Sequence, residues 1–355
     1  MKVLCICPIG IGNYLLFYPA CAYLKRLHPE WSLSLLGLRD AIRVLAEDDL
    51  LWEDIHIIDP TKLRGPLDGV GIIGRLRKNR FDMSINFFPS NKWQYNLLPF
   101  LAGIRKRIGF SYHYHPPKNL PFFLNAKIPV DTNLHDVDQN MQLVKRLFSE
   151  EGGDDLIVFP ALYSNDMKRW AEQISSGKKR PLIGIHPGSS EQHGMAAKRW
   201  EPEKFGKLTG MLCEKIGGSA LIFGGPQEAS LKETVKQNAP HHAEIAPLCP
   251  IRKTAALVSQ CDLFLCNDSG LMHIAACSGV PTVALFGPTD ERRNGPVGRS
   301  LVIRKEMEGF PVWTAENVGN RGDTKGVDPS ASLRALTVEE AFERIRPELS
   351  RLLST

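Results

Sequence analysis

The chain has 355 residues, more than a single hydrophobic core usually organises, so two domains are expected. Its 43% hydrophobic and 23% charged residues are ordinary for a globular protein, and no apolar run approaches the roughly 18 residues of a membrane span. The net charge of +5 permits a phosphorylated glycan, a nucleotide or an anionic membrane surface as partner and requires none of them; no nucleic-acid partner is expected.

Lys2 Val3 Leu4 Cys5 Ile6 Cys7 reads as an opening strand, and Pro8 Ile9 Gly10 Ile11 Gly12 as a turn into a helix. Pro8, Gly10 and Gly12 interrupt the apolar run, so it is a strand and turn rather than a signal peptide, and a cytoplasmic protein is expected. Gly10 and Gly12 let a ligand approach the backbone, and Asn13 is placed either to cap the helix or to enter an acceptor site. Leu16, Ala20, Tyr23 and Leu27 mark the buried face of that helix.

Strands follow at 34–36, 55–58 and 82–88, with a helix over 39–47 between the first two. Basic clusters lie at Arg75, Arg77, Lys78 and Arg80, and at Arg105, Lys106 and Arg107. Such clusters are usually solvated faces, with contact to an anionic acceptor as the alternative. Tyr112 His113 Tyr114 His115 Pro116 Pro117 reads as a loop. His135 then opens a helix whose first turn holds Asp136 and Asp138. This formal DxD pair suits the helix dipole without a metal ion.

The polar run at 150–155 places the domain junction, giving a first domain of 1–152 and a second of 153–336. In the second, Pro181 to His186 is a strand entering the loop Pro187 Gly188 Ser189 Ser190, and Lys198 Arg199 Trp200 precede a helix opened by Pro202. Loop donors and fixed cations together suit a diphosphate. A strand at 220–223 ends at Gly224 Gly225 Pro226, where Glu228 can reach a ribose hydroxyl. A helix over 252–259 leads to the most informative stretch. Leu263 Phe264 Leu265 is a strand, Asp268 Ser269 Gly270 a turn, and His273 sits in the first turn of a helix. Thr282 to Phe286 is the next strand. Unpaired N–H groups at Ser269 and Gly270, at the positive end of the helix dipole, form a phosphate-accepting start. Residues 292–332 carry no assignable pattern. Thr337 Val338 Glu339 Glu340 caps a last helix, and 337–355 is expected to pack back on the first domain. The eight cysteines form no CxxC pair and no zinc spacing, so buried reduced thiols are expected.

Several of these motifs coincide in one family. Asp268 Ser269 Gly270 with His273, followed by Pro281 Thr282 Val283 Ala284 Leu285 Phe286 Gly287 Pro288 Thr289 Asp290, resembles the signature of the bacterial heptosyltransferases, glycosyltransferase family 9. His186 Pro187 Gly188 Ser189 with Lys198 Arg199 Trp200 resembles its second motif, and Gly10 Ile11 Gly12, His135 Asp136 Val137 and Leu333 to Thr337 fit in order. The resemblance implies an α/β GT-B fold, two Rossmann-like halves facing across a cleft. It implies inverting, metal-independent transfer of a heptose or related sugar from an ADP-sugar substrate, with no cofactor. The acceptor would be the lipopolysaccharide core or a similar glycan, and membrane contact at most peripheral, at the cytoplasmic face of the inner membrane.

Carried over residue by residue, Lys198 stabilises the diphosphate with Ser189 nearby, and Ser269, Gly270 and His273 hold phosphate or ribose. Glu228 binds ribose, and Asp268 caps the helix or binds a sugar hydroxyl, since a diphosphate would repel it. Gly10 and Gly12 lie on the acceptor side. The family commonly places an aspartate base at the position of Asn13, and asparagine cannot take a proton at neutral pH. Asp82, His113, His115 and His135 are the other bases to consider, and a catalytically impaired sugar-nucleotide binder is the alternative function. A nicotinamide enzyme would need a fuller glycine fingerprint than Gly10 Ile11 Gly12 supplies.

Overall fold

Two six-stranded, all-parallel sheets are the frame on which everything else is placed. The computed structural model describes residues 1–7, 10–63, 65–113, 119–148, 156–315, 324 and 326–354, so Tyr114, His115 and the 150–155 junction lie outside the described residues. The first sheet holds β1 (Lys2–Cys7), β2 (Ser32–Gly37), β3 (Asp54–Ile57), β4 (Met83–Asn86), β5 (Lys106–Ser111) and β6 (Ala126–Pro129), in the order β3-β2-β1-β4-β5-β6. The second holds β7 (Leu182–His186), β8 (Ser219–Ile222), β9 (Ala243–Ile245), β10 (Leu263–Asn267), β11 (Thr282–Phe286) and β12 (Ser300–Arg304), in the order β12-β11-β10-β7-β8-β9.

The central strands β1, β7, β10 and β11 are buried almost throughout because helices cover both faces of each sheet. This is why they read as unbroken apolar runs rather than alternating ones. Each sheet runs outward from its first strand, then returns to that strand's other side. The reversal lies between β1 and β4 in the first sheet and between β7 and β10 in the second. At such a point successive connections leave in opposite directions, opening a crevice at the strands' carboxyl ends.

The chain divides into two compact units, the first holding Met1–Ala161 and the second beginning at Leu162. The boundary thus falls a few residues beyond the 152/153 junction read from composition. The closing segment differs from expectation more substantially. Val338, Ala341, Ile345, Leu349 and Leu352 belong to the same core as Trp200, Phe205, Ile185 and Leu265, so the terminal helices complete the second unit instead of returning to the first. Trp200, fully buried, donates its indole N–H to the Leu336 carbonyl at 3.1 Å and anchors the entry to those helices. Thr337 caps the helix Val338–Ile345 with Glu340 as its reciprocal partner, as the sequence predicts. Among the described residues, no helix is long and apolar enough to cross a membrane.

Candidate active site

The second unit's crevice is built from two polar residues that end otherwise apolar strands. Asn267 closes β10, its amide donating to the Pro187 carbonyl at 2.8 Å and its carbonyl accepting the Trp200 N–H at 3.1 Å. It thereby ties the loop after β7 to the neighbouring strand. His186 closes β7 and is buried. Its Nδ1 lies 2.9 Å from the Ser269 hydroxyl, and its Nε2 lies 3.4 Å from Glu228 Oε2.

Ser269 caps the helix Gly270–Cys277, accepting the Met272 N–H on its hydroxyl oxygen. Its own hydroxyl proton is then free for His186 Nδ1, and the imidazole's remaining proton, on Nε2, points at Glu228. Glu228 Oε2 also accepts the Gly225 N–H at 2.7 Å. Burial pushes this carboxyl upward, but His186, the Gly225 N–H and Arg199 outweigh it and hold it below the usual range. A Cβ on Gly188 would sit 1.8 Å from Glu228 Oε1, so a larger residue there would displace the Glu228 carboxylate.

Lys198 ends the short helix Gln192–Lys198, and its Nζ lies 2.5 Å from Asp268 Oδ2. Burial pushes Asp268 upward. Lys198 first, then His273 and the Thr289 hydroxyl, bring it below the usual carboxylate range, so it is ionised. The expectation that Asp268 caps the helix is therefore corrected. Ser269 takes the cap, since its hydroxyl is the one within reach of the first-turn N–H groups, and Asp268 turns instead to the lysine. Asn294 approaches Asp268 from the other side at 3.5 Å. Ser189 is committed elsewhere. Its hydroxyl donates to the Met195 carbonyl at 3.0 Å and accepts from Arg199, whose guanidinium folds back on the loop rather than toward Lys198.

The motif's far end is a support. Arg304, buried at the end of β12, donates to the carbonyls of Gly287 and Thr289 and pairs with Glu291. Asp290 caps the short helix Glu291–Asn294.

In the first unit, Gly10 is the extended N-cap of the helix Ile11–Leu27, and no side chain caps it. The capping role read for Asn13 is thus corrected, because Asn13 lies inside the helix at its third position, past the cap. Half-buried, it has no hydrogen-bond partner among the described residues. Open space surrounds Gly10 where a side chain would stand. Asp82 does not belong with these residues. It precedes β4 and accepts the Lys2 backbone N–H at 2.8 Å, which puts it at the amino end of the sheet, opposite Asn13. His113 stands exposed just beyond the carboxyl end of β5, and His135 Nδ1 accepts the Val137 N–H at 3.3 Å. Asp136 is buried while Asp138 is exposed, so the pair cannot share an ion. Among the described residues, no group of three or more His, Cys, Asp or Glu is arranged to hold a metal.

His186, Asn267, Asn294 and Arg304 carry roles that no motif in the sequence assigns. A polar residue closing an apolar strand was the available signal for the first two.

The model of glycosyltransferase family 9 (heptosyltransferase) matches residues 71–310, two thirds of the chain and all of this crevice. The chain belongs to glycosyltransferase family 9. It is 26% identical to lipooligosaccharide heptosyltransferase 2 of Haemophilus influenzae over 377 residues, covering 99% of this chain and 100% of that one. The structure of E. coli ADP-heptose lipopolysaccharide heptosyltransferase II superposes with a TM-score of 0.72 at 20% identity, over 100% of each chain. E. coli heptosyltransferase WaaC with ADP-2-deoxy-2-fluoro heptose gives 0.70 at 16% identity, over 98% of this chain and 100% of that one. This family 9 glycosyltransferase therefore has the α/β GT-B fold that its motifs imply.

Proposed function

We propose that this family 9 glycosyltransferase moves a heptose from ADP-heptose to a lipopolysaccharide core acceptor, inverting the anomeric centre without a bound metal ion. The observation that carries the reading is the buried Lys198 beside the helix start at Ser269, in the crevice between β7 and β10. Departure of ADP develops negative charge on a diphosphate. A fixed ammonium and first-turn N–H groups are preorganised to meet it, which is the task a divalent cation would otherwise perform. As Lys198 turns to the phosphate, Asp268 is released to accept a hydrogen bond from a sugar hydroxyl. Glu228 accepts from the ribose, and His273 supports the phosphate end.

On the acceptor side, Gly10 and Gly12 leave the backbone approachable, and the Asn13 amide orients the attacking hydroxyl. An amide cannot carry the proton away, and we assign that role to His113. The acceptor being lipid-linked, the enzyme works at the cytoplasmic face of the inner membrane through peripheral contact.

Incubation with ADP-heptose and defined core acceptors is the test, read by ADP release and product mass. Absence of ADP release with every acceptor would sink the proposal. Tight donor binding with background turnover would mark an impaired sugar-nucleotide binder instead. Activity that survives a chelator supports the metal-free step, and its loss on chelation with recovery on metal addition would overturn it.

A further inference from the structure

Residues 83–130 contain six Lys or Arg and no Asp or Glu, more than the whole net charge of +5. Within them the helix Trp93–Leu101 buries Asn96 and Pro99 and packs Leu98 on the core, while Trp93 (43%) and Phe100 (46%) stand exposed. Phe122, 68% exposed, extends the same surface, its ring 4.5 Å from that of Phe123, which in turn lies 4.8 Å from Phe100. Arg107 fastens the assembly, lying over the Phe100 ring and donating to the carbonyls of Phe123 and Ile104. Lys92, Arg105 and Lys127 are exposed around it.

Asn96 anchors the middle of the helix. Its amide accepts from Asn86 at 2.6 Å and donates to Asn119, whose own amide reaches the Ser90 carbonyl. This buried network pins the helix to the fold, with Trp93 and Phe100 exposed toward its two ends. Scattered exposed apolar residues need no explanation, but the linked rings of Phe100, Phe123 and Phe122 among exposed cations do. Lys127 and Pro129 would serve to protect the edge strand β6 by themselves, a role that needs no exposed aromatic rings.

We propose that this face of the first unit docks on an anionic phospholipid surface. Trp93, Phe100 and Phe122 would enter the interface, with Lys92, Arg105 and Lys127 over the headgroups. Aromatic rings favour the boundary between water and hydrocarbon, and each nearby cation adds to the attraction. The absence of carboxylates along 83–130 is what a negatively charged surface requires, and it selects a bilayer over a neutral apolar partner. The surface deepens the peripheral contact of the proposed function but rests on no assumption about the donor, so vesicle binding and sugar transfer fail or succeed separately.

The test is flotation of the full chain with vesicles of phosphatidylcholine alone and with about a third phosphatidylglycerol. Binding is expected only to the anionic vesicles and should weaken with salt. Trp93→Ser/Phe100→Ser/Phe122→Ser should lower it at least about tenfold. Arg105→Glu/Lys127→Glu, which leaves the rings in place, should lower it at least about twenty-fivefold, about fivefold per cation. Leu248→Ser, at an exposed residue of the second unit, should bind as wild type. Equal binding to neutral vesicles, or anionic binding unchanged in both multiple variants, would overturn the proposal. So would a concentration-dependent dimer, abolished by the aromatic substitutions, in a protein that binds no vesicle, because the face would then belong to a second copy.

Discussion

Lys198 Nζ and Asp268 Oδ2 stand 2.5 Å apart, both side chains at least nine-tenths buried. The cation that suits a diphosphate is thus held by a carboxylate 70 positions further along the chain. Burying one charge alone is costly, and breaking such a pair from one side typically costs about 3–5 kcal/mol. Lys198→Met and Asp268→Asn should each lose about that much stability in urea unfolding, and the double variant less than their sum. Strict additivity would show that the pair is not coupled. Lys198→Met should also lower kcat by about a hundredfold to a thousandfold, as loss of an electrostatic stabiliser does.

The same pair sets an acid limit. Asp268 and Glu228 are both held below the usual carboxylate range in the folded protein. Depressed folded values mean that the unfolded chain binds protons more readily. Their stabilisation is therefore complete above about pH 4 and is lost as pH falls through the lower folded values. The melting temperature should drop below about pH 4, less steeply in Asp268→Asn than in wild type. Parallel profiles for the two proteins would remove Asp268 from the account.

His186 joins two groups for which donor contacts are proposed, the helix cap at Ser269 and the carboxylate at Glu228. Its loss should free both side chains to rotate while leaving Lys198 in place. His186→Ala is expected to raise KM for the nucleotide sugar about tenfold or more with a smaller change in kcat, as loss of two modest hydrogen bonds implies. Gly188→Ala should do the same by displacing Glu228, since the added Cβ would overlap Oε1. Normal KM in both variants would refute the coupling.

The strands around the site were readable because covered parallel strands are apolar throughout. Leu263 to Leu265 and Thr282 to Phe286 locate β10 and β11, and the turn between them carries the family's motif. The edge strand β3 was legible too, but the edge strands β6 and β9, four and three residues long, were not, nor was β5 beside β6, which opens with Lys106 and Arg107 and looks like a solvated cluster. The unassigned 292–332 stretch hides β12, whose Arg304 acts through backbone carbonyls that no sequence pattern marks. Site chemistry followed the same division. Ser269 and Lys198 were legible from local motifs, whereas the partner of Asp268 and the inward commitment of Ser189 depend on contacts between loops distant in sequence.

Asn13 occupies the first turn of the helix after β1, half-buried and with no side-chain hydrogen-bond partner among the described residues. Asp82 is removed by its place at the other end of the sheet, and His135 already uses Nδ1 to accept the Val137 N–H. His113, exposed past the carboxyl end of β5, is the base assigned above. His113→Gln should lower kcat about a hundredfold or more, with acceptor KM little changed. His135→Gln should cost less. Asn13→Asp places a proton acceptor at the helix start and should recover much of the rate lost in His113→Gln. Wild-type turnover in His113→Gln would show that the proton leaves by another route, and a slow Asn13→Asp/His113→Gln enzyme would show that Asn13 does not face the attacking hydroxyl.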